Sequence, residues 1–274
     1  MKNVNGGTRR DQFVRCGIMT LLMSAGCGGI PKNPAEMAAE RAVGIALSQA
    51  ITVPPLGKVA MTDSVVSTYL TRIFSRLLNT TRHDFDGTVI VLNDITTAQA
   101  MSLPGGILAV YSGLLCDVQS EDELVGVVAH ELGHDVRHDA FSRIKQEAVI
   151  GGLTVEPTAI VDALRNRDPA WQRFLVQQAG ALLTGVDASQ KWPQQETDAD
   201  RDAPGYARRY GSDPCALKYF LVRHQATEER VGNVQTSCDQ LPTSHYVGLV
   251  SDLRAAKQHL ACPHGQTNET GNRG

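Results

Sequence analysis

His130-Glu131-Leu132-Gly133-His134 sets two imidazoles four residues apart, with a carboxylate directly after the first. On an α-helix positions i and i+4 share one face, so both rings can point at a single metal ion while Glu131 lies beside the position left open. Such a set suits metal-assisted hydrolysis of an amide. It offers two neutral nitrogen ligands, a carboxylate able to take a proton from water, and a vacant position for a substrate carbonyl. Zn²⁺, one per chain, is the cofactor this chemistry calls for. The preceding residues predict the helix that must carry it. Ser120 and Glu123 have the spacing of a capping box, and Leu124, Val125, Val127, Val128 and Ala129 form an apolar run that argues for burial. Buried histidines need partners, and a metal ion is one.

A third protein ligand must come from elsewhere. A metzincin would require a glycine at position 137 and a histidine at 140, where this chain has Arg137 and Ala140. His138 lies one turn further along the predicted helix, but three successive turns converge poorly on one ion, so it reads as a surface or supporting residue. Glu147 and Glu156 are nearby carboxylates. A stronger candidate is Glu196, which with Asp200 repeats the i, i+4 spacing on a second predicted helix.

At this point the sequence resembles a known family, the zinc metallopeptidases that include HtpX, the CAAX prenyl proteases, the mitochondrial OMA-type protease and the periplasmic proteases BepA and LoiP. The resemblance rests on the HExxH segment and on the ExxxD formed by Glu196 and Asp200. It extends to residues 100–106, which are similar to the family's NAFxxPGG strand with Gln99 and Met101 at the Asn and Phe places, and to Gly113-Leu114-Leu115. Residues 210–217 are similar to its GYDPxAL turn, and Thr243-Ser244-His245 to its late THP, with Tyr246 at the proline place and the usual nearby arginine displaced to Arg254. The likeness covers roughly residues 35 to 258. It implies that Glu196 is the third metal ligand and that Asp200 orients a ligand histidine. Glu131 would be the general base, and His245 would either stabilise the oxyanion or sit on the zinc as a fourth ligand.

The elements that must position these residues are also readable. Asn33-Pro34-Ala35-Glu36 looks like a helix start leading into residues 37–50, and residues 62–79 have helical apolar spacing. Thr88–Leu92 and Ile107–Tyr111 are short β-branched runs that predict strands, with Pro104-Gly105-Gly106 turning the chain into the second. From Glu121 onward the pattern is helical, broken at Gly151-Gly152, Asp168-Pro169, Trp192-Pro193, Asp213-Pro214 and Leu241-Pro242. The expected fold is therefore α+β and helix-dominated. With the resemblance it becomes a gluzincin-like metalloprotease domain with a small sheet next to the HExxH helix and a second metal-ligand helix. The strand Ile107–Tyr111 is expected to be the sheet edge onto which an extended peptide adds.

Lys2, Arg9, Arg10 and Arg15 precede an apolar stretch and then Ser24-Ala25-Gly26-Cys27, the order of a secretory signal, and Leu-Met-Ser-Ala-Gly-Cys resembles a bacterial lipobox. The expected organisation is a lipoprotein-type signal peptide over residues 1–26, a tether over 27–34, a zinc metallopeptidase domain over 35–262 and a disordered tail over 263–274. Cys27 is the expected lipidation site, and a plain cleaved signal or a buried N-terminal helix are the alternatives. The anchor implies the periplasmic side of a cell envelope. Gly28 after Cys27 leans toward the outer membrane by analogy with bacterial lipoproteins. Four cysteines then remain, Cys116, Cys215, Cys238 and Cys262. They allow two disulfides in an exported chain, with Cys238 to Cys262 the expected bridge because they bracket one segment, or four buried thiols.

The 42% hydrophobic content supports a packed core across 274 residues, and the 26 basic against 29 acidic residues, with no Lys/Arg cluster after the first sixteen, exclude a nucleic-acid binder. The partners expected are an unfolded polypeptide substrate and a membrane reached through the N-terminal lipid. A zinc hydrolase of cell-wall peptide and a non-catalytic envelope lipoprotein with a chaperone or scaffold role are the competing functions.

Overall fold

The computed structural model describes residues 33–81, 85–184, 192–241, 251–260 and 262. The signal peptide, Cys27, His245 and the tail beyond 262 lie outside the described residues. In chain order these residues form helices α1 (Pro34–Thr52) and α2 (Ser64–Leu78), strands β1 (Thr88–Leu92), β2 (Ala100–Leu103) and β3 (Ile107–Tyr111), and a run of helices. The run comprises α3 (Ser112–Asp117), α4 (Glu121–Val136), α5 (Asp139–Ile150), α6 (Pro157–Arg165), α7 (Pro169–Leu183), α8 (Pro193–Tyr210), α9 (Ala216–Arg223), α10 (Glu228–Asp239) and α11 (Ser251–His259). The α+β, helix-dominated expectation holds. No helix among the described residues is long and apolar enough to cross a membrane.

The sheet has the order β1-β3-β2, with β1 parallel and β2 antiparallel to β3. This corrects the expected edge: Ile107–Tyr111 is the central strand, paired on both sides, and β2 is an edge strand with no second partner strand among the described residues. The reason is visible in the residues. Ile-Leu-Ala-Val-Tyr is apolar at every position, the signature of a strand covered on both faces, and all five residues are buried. Leu108 and Val110 face a core shared with α2 and α4, while Ile107, Ala109 and Tyr111 face a second core built with α1, α5, α6 and α7. Residues 104–106 make the hairpin turn, with Gly105 and Gly106 at φ +75° and +77°, a region closed to most side chains.

Helix α4 begins as predicted. Ser120 Oγ accepts from Glu123 N at 3.1 Å, and Glu123 Oε2 reaches back to Gln119 N at 2.8 Å. Its end was not legible. The helix stops at Val136, and His138 adopts a left-handed conformation at φ +57°. His138 is therefore not a further turn of the HExxH helix. Its Nδ1 lies 2.9 Å from Oε1 of Glu40, a buried residue of α1.

The disulfides are Cys116–Cys262 and Cys215–Cys238, which corrects the expected Cys238–Cys262 bridge. Helix α10 packs beside α9, bringing its last turn to Cys215, whereas α11 lies along α2 and α3 and delivers Cys262 to the end of α3.

Candidate metal centre

Helices α4 and α8 pack side by side, and the close approach is set at Gly133. A Cβ there would meet Cα of Ala199 at 3.2 Å. Small residues on both helices thus let the HExxH face and the ExxxD face meet. His130 Nε2 lies 3.4 Å from Glu196 Oε2, and His134 Nε2 lies 3.3 Å from Glu196 Oε1. All three residues are buried, and their ligand atoms fall within 4.8 Å of one another. Tetrahedral ligands at zinc bond lengths stand about 3.3 Å apart. The donor set and its spacing therefore fit a zinc-like ion, and His130, His134 and Glu196 are the residues that would hold it.

A carboxylate stands behind each imidazole. Asp200 Oδ1 is 3.0 Å from His130 Nδ1, at an oblique angle that leaves Nδ1 without a well-directed hydrogen bond, and Asp139 Oδ2 is 2.9 Å from His134 Nδ1. Such partners favour the tautomer with Nδ1 protonated, leaving each Nε2 lone pair for a metal. Burial opposes the charged His130, but Asp200, then Glu196, outweigh it and push its pKa up to about 9. Burial likewise pushes Glu196 up, and the two imidazoles more than reverse this, holding its carboxyl far below the usual range. These residues form one buried cluster of imidazoles and carboxylates, the donor set of a cation site.

A profile of Peptidase family M48 matches residues 64–261. The chain belongs to that family. Among its relatives are a protein of Vibrio cholerae named putative beta-barrel assembly-enhancing protease, 25% identical over 166 residues, 59% of this chain and 33% of that protein, and the mitochondrial metalloendopeptidase OMA1 of Schizosaccharomyces pombe, 27% identical over 177 residues, 64% of this chain and 49% of that protein. The chain spans between a third and a half of the length of these curated relatives. M48 enzymes are metal-dependent proteases, in keeping with the cluster above.

The centre opens into a cleft of about 440 Å³ with β2 along one rim. Glu131 faces this cleft, and its Oε2 accepts from the backbone N–H of Ser102 at 2.8 Å. One turn on, Asp135 Oδ1 accepts from Gly106 N at 3.1 Å, so two carboxylates of α4 hold the β2 hairpin. Glu147 lines the cleft on α5 without joining the histidines, and Glu156 caps α6 by accepting from Ala159 N at 3.0 Å.

Three residues at this centre went unread in the sequence. Asp139 would lie ~140° around an unbroken helix from His134, and only the break at His138 returns it to the ring. Arg230, on α10, donates from Nε to Asp200 Oδ2 and from Nη2 to Asp200 Oδ1, both at 2.8 Å, and its Nη2 stands 3.3 Å from His130 Nε2. Ser102 lies on β2, where alternation alone gave no strand. For neither Asp139 nor Arg230 does the sequence carry a local signal.

Proposed function

We propose that this chain is a zinc-dependent endopeptidase that hydrolyses peptide bonds of misfolded or unassembled cell-envelope proteins. The observation that carries the reading is the meeting of His130, His134 and Glu196 at ligand spacing in a cleft rimmed by an edge strand. Zinc bound there would act as a Lewis acid toward the scissile carbonyl and acidify the attacking water. Glu131 takes the proton of that water and passes it to the leaving amine. Asp200 and Asp139 keep the ligand imidazoles in register. His245 has the oxyanion or fourth-ligand role that the family likeness implies.

The orientation of β2 supports this substrate class. Tyr111 N donates to Gln99 O at 2.9 Å, and the register pairs Met101 with Ala109 and Leu103 with Ile107. Alternation then turns the N–H and C=O of Ala100 outward, where an extended peptide can add by backbone hydrogen bonds. That mode favours unfolded chains over any one sequence. Two disulfides suit an oxidising compartment, and the Vibrio relative is named for β-barrel assembly. Both support a periplasmic setting, with Cys27 as the lipid anchor, residues 1–26 as its signal and the outer membrane as its site.

Zinc analysis of the purified mature protein, with Glu196→Ala and Glu131→Gln beside it, tests the reading. One zinc per wild-type chain is expected, lost in Glu196→Ala and kept in Glu131→Gln, with denatured casein cleaved by wild type alone. Equal zinc in wild type and Glu196→Ala removes Glu196 as a ligand. Cleavage of peptidoglycan fragments but not casein moves the substrate to the cell wall.

A further inference from the structure

Three serines are buried among the described residues: Ser102, Ser112 and Ser212. Ser112 Oγ accepts from Asp94 N at 2.9 Å and Ser212 Oγ donates to Asp122 Oδ1 at 2.5 Å. Among the described residues Ser102 Oγ has no hydrogen-bond partner, although the residue is only 7% exposed and lines the cleft. A hydroxyl buried without a partner is destabilising, and alanine would fit the same strand position without that cost. Its own backbone N–H, three bonds away, is the group that holds Glu131 Oε2 at 2.8 Å. In a serine the amide nitrogen and the hydroxyl are close enough for one carboxylate to meet both, and χ1 has three staggered wells among which the hydroxyl can turn.

We propose that Ser102 is a positioning residue for Glu131. Its N–H anchors one carboxylate oxygen at rest, and its hydroxyl becomes the second donor when the carboxylate turns toward the substrate. The unpaired hydroxyl is thus a partner kept ready for the reacting geometry. An added substrate strand strengthens the need for it. Ser102 shares the outward orientation of Ala100 on the edge strand, so a peptide docking there competes for the Ser102 N–H, and a Glu131 that loses this bond retains the hydroxyl.

This inference rests on Glu131 being the base, and the test separates the two. Kinetics on an unfolded or peptide substrate, zinc content and thermal unfolding are measured for wild type, Glu131→Gln, Ser102→Ala, Ser102→Thr and Ser102→Val. Ser102→Ala is expected to keep its zinc, to melt no lower than wild type, and to lose about tenfold in kcat with KM little changed, the value of one hydrogen bond to a charged group. Ser102→Thr, which restores the hydroxyl, should exceed the equally bulky Ser102→Val in kcat. Wild-type kcat in Ser102→Ala overturns the proposal, as does a loss that Thr fails to recover relative to Val. An active Glu131→Gln overturns the reading of the base itself. An inactive Glu131→Gln beside a fully active Ser102→Ala overturns only the role of Ser102.

Discussion

Arg230 holds both oxygens of Asp200 in a two-point contact, Nε on Oδ2 and Nη2 on Oδ1, each at 2.8 Å. Asp200 is fully buried, so this contact is what makes its charge tolerable behind His130. Burial pushes the Asp200 carboxyl up, and Arg230 with His130 outweighs it and keeps the group ionised. The arginine thereby ties α10 to the two helices that carry His130 and Glu196, a link made entirely by side chains.

Removing that link predicts a metal phenotype. Arg230→Ala leaves Asp200 buried with only His130 beside it, which should cost about 3 kcal/mol of stability and about ten- to hundredfold in zinc affinity. Arg230→Lys keeps a charge but not the planar fork, and should fall between. Competition against a chromophoric chelator measures the affinities. Unchanged affinity in Arg230→Ala would mean that Asp200 needs no cation to hold His130.

How much of this was legible follows from how local each feature is. The HExxH face is a matter of helical spacing, and its capping box sits in consecutive residues, so both could be read directly. Glu196 is sixty-six positions from His130; its spacing with Asp200 makes it a candidate, but only the likeness to a family joins it to the histidines, since no periodicity links two separate helices. Asp139 depended on a left-handed residue that ends α4 one turn early, and Arg230 on the packing of α10 against α8, neither of which leaves a local pattern. The sheet edge was misassigned for a similar reason: a short apolar strand does not reveal which neighbours pair with it. The cysteines could be counted but not paired, because pairing is decided by where α10 and α11 dock.

The disulfides provide a direct check on that docking. Non-reducing peptide mapping should recover Cys116 with Cys262 and Cys215 with Cys238. A Cys238–Cys262 peptide would contradict the placement of α10 and α11. Replacing Cys215 and Cys238 by alanine opens a crosslink of sequence separation 23, which should cost roughly 3 kcal/mol on the chain-entropy estimate. Thermal melts then fall by roughly 10 °C for a domain of this size.

Acidity should act on the metal-free and metal-loaded protein in opposite directions. The His130 pKa is raised from 6.5 to about 9 in the folded, metal-free state. Its proton therefore stabilises that state fully below pH 6.5, and this stabilisation is lost as pH rises through about 9. The depressed Glu196 and Asp200 carboxyls contribute above their unfolded values of 4.5 and 3.8, and that contribution is lost as pH falls through their lowered folded-state values. Zinc needs the neutral imidazole, so its affinity should climb about tenfold per pH unit from neutrality toward 9. Melting curves with and without zinc across this range check it: the gap between them should widen as pH rises. A constant gap would mean that no proton leaves the cluster on metal binding.

The approach of α4 and α8 is testable by adding bulk at Gly133, where a Cβ also meets the movable guanidinium of Arg137 at 3.2 Å. At Gly133 an added Cβ meets Ala199 Cα at 3.2 Å and Ala199 Cβ at 3.5 Å, so alanine asks the helices to part by a few tenths of an ångström. Glycine to alanine within a helix gains about 1 kcal/mol in propensity, which offsets the crowding, and Gly133→Ala should be close to neutral in stability. Gly133→Val adds bulk that cannot be absorbed at that spacing and should cost about 2 kcal/mol. The larger consequence is for the site, because Glu196 rides on α8 while both histidines ride on α4. Separating the helices lengthens the 3.3 and 3.4 Å contacts, and a tetrahedral site has little tolerance for that. Zinc affinity should therefore drop at least a hundredfold in Gly133→Val while far-UV circular dichroism stays native. Wild-type affinity in that variant would show that the two ligand helices are held in register by something other than their contact at this glycine.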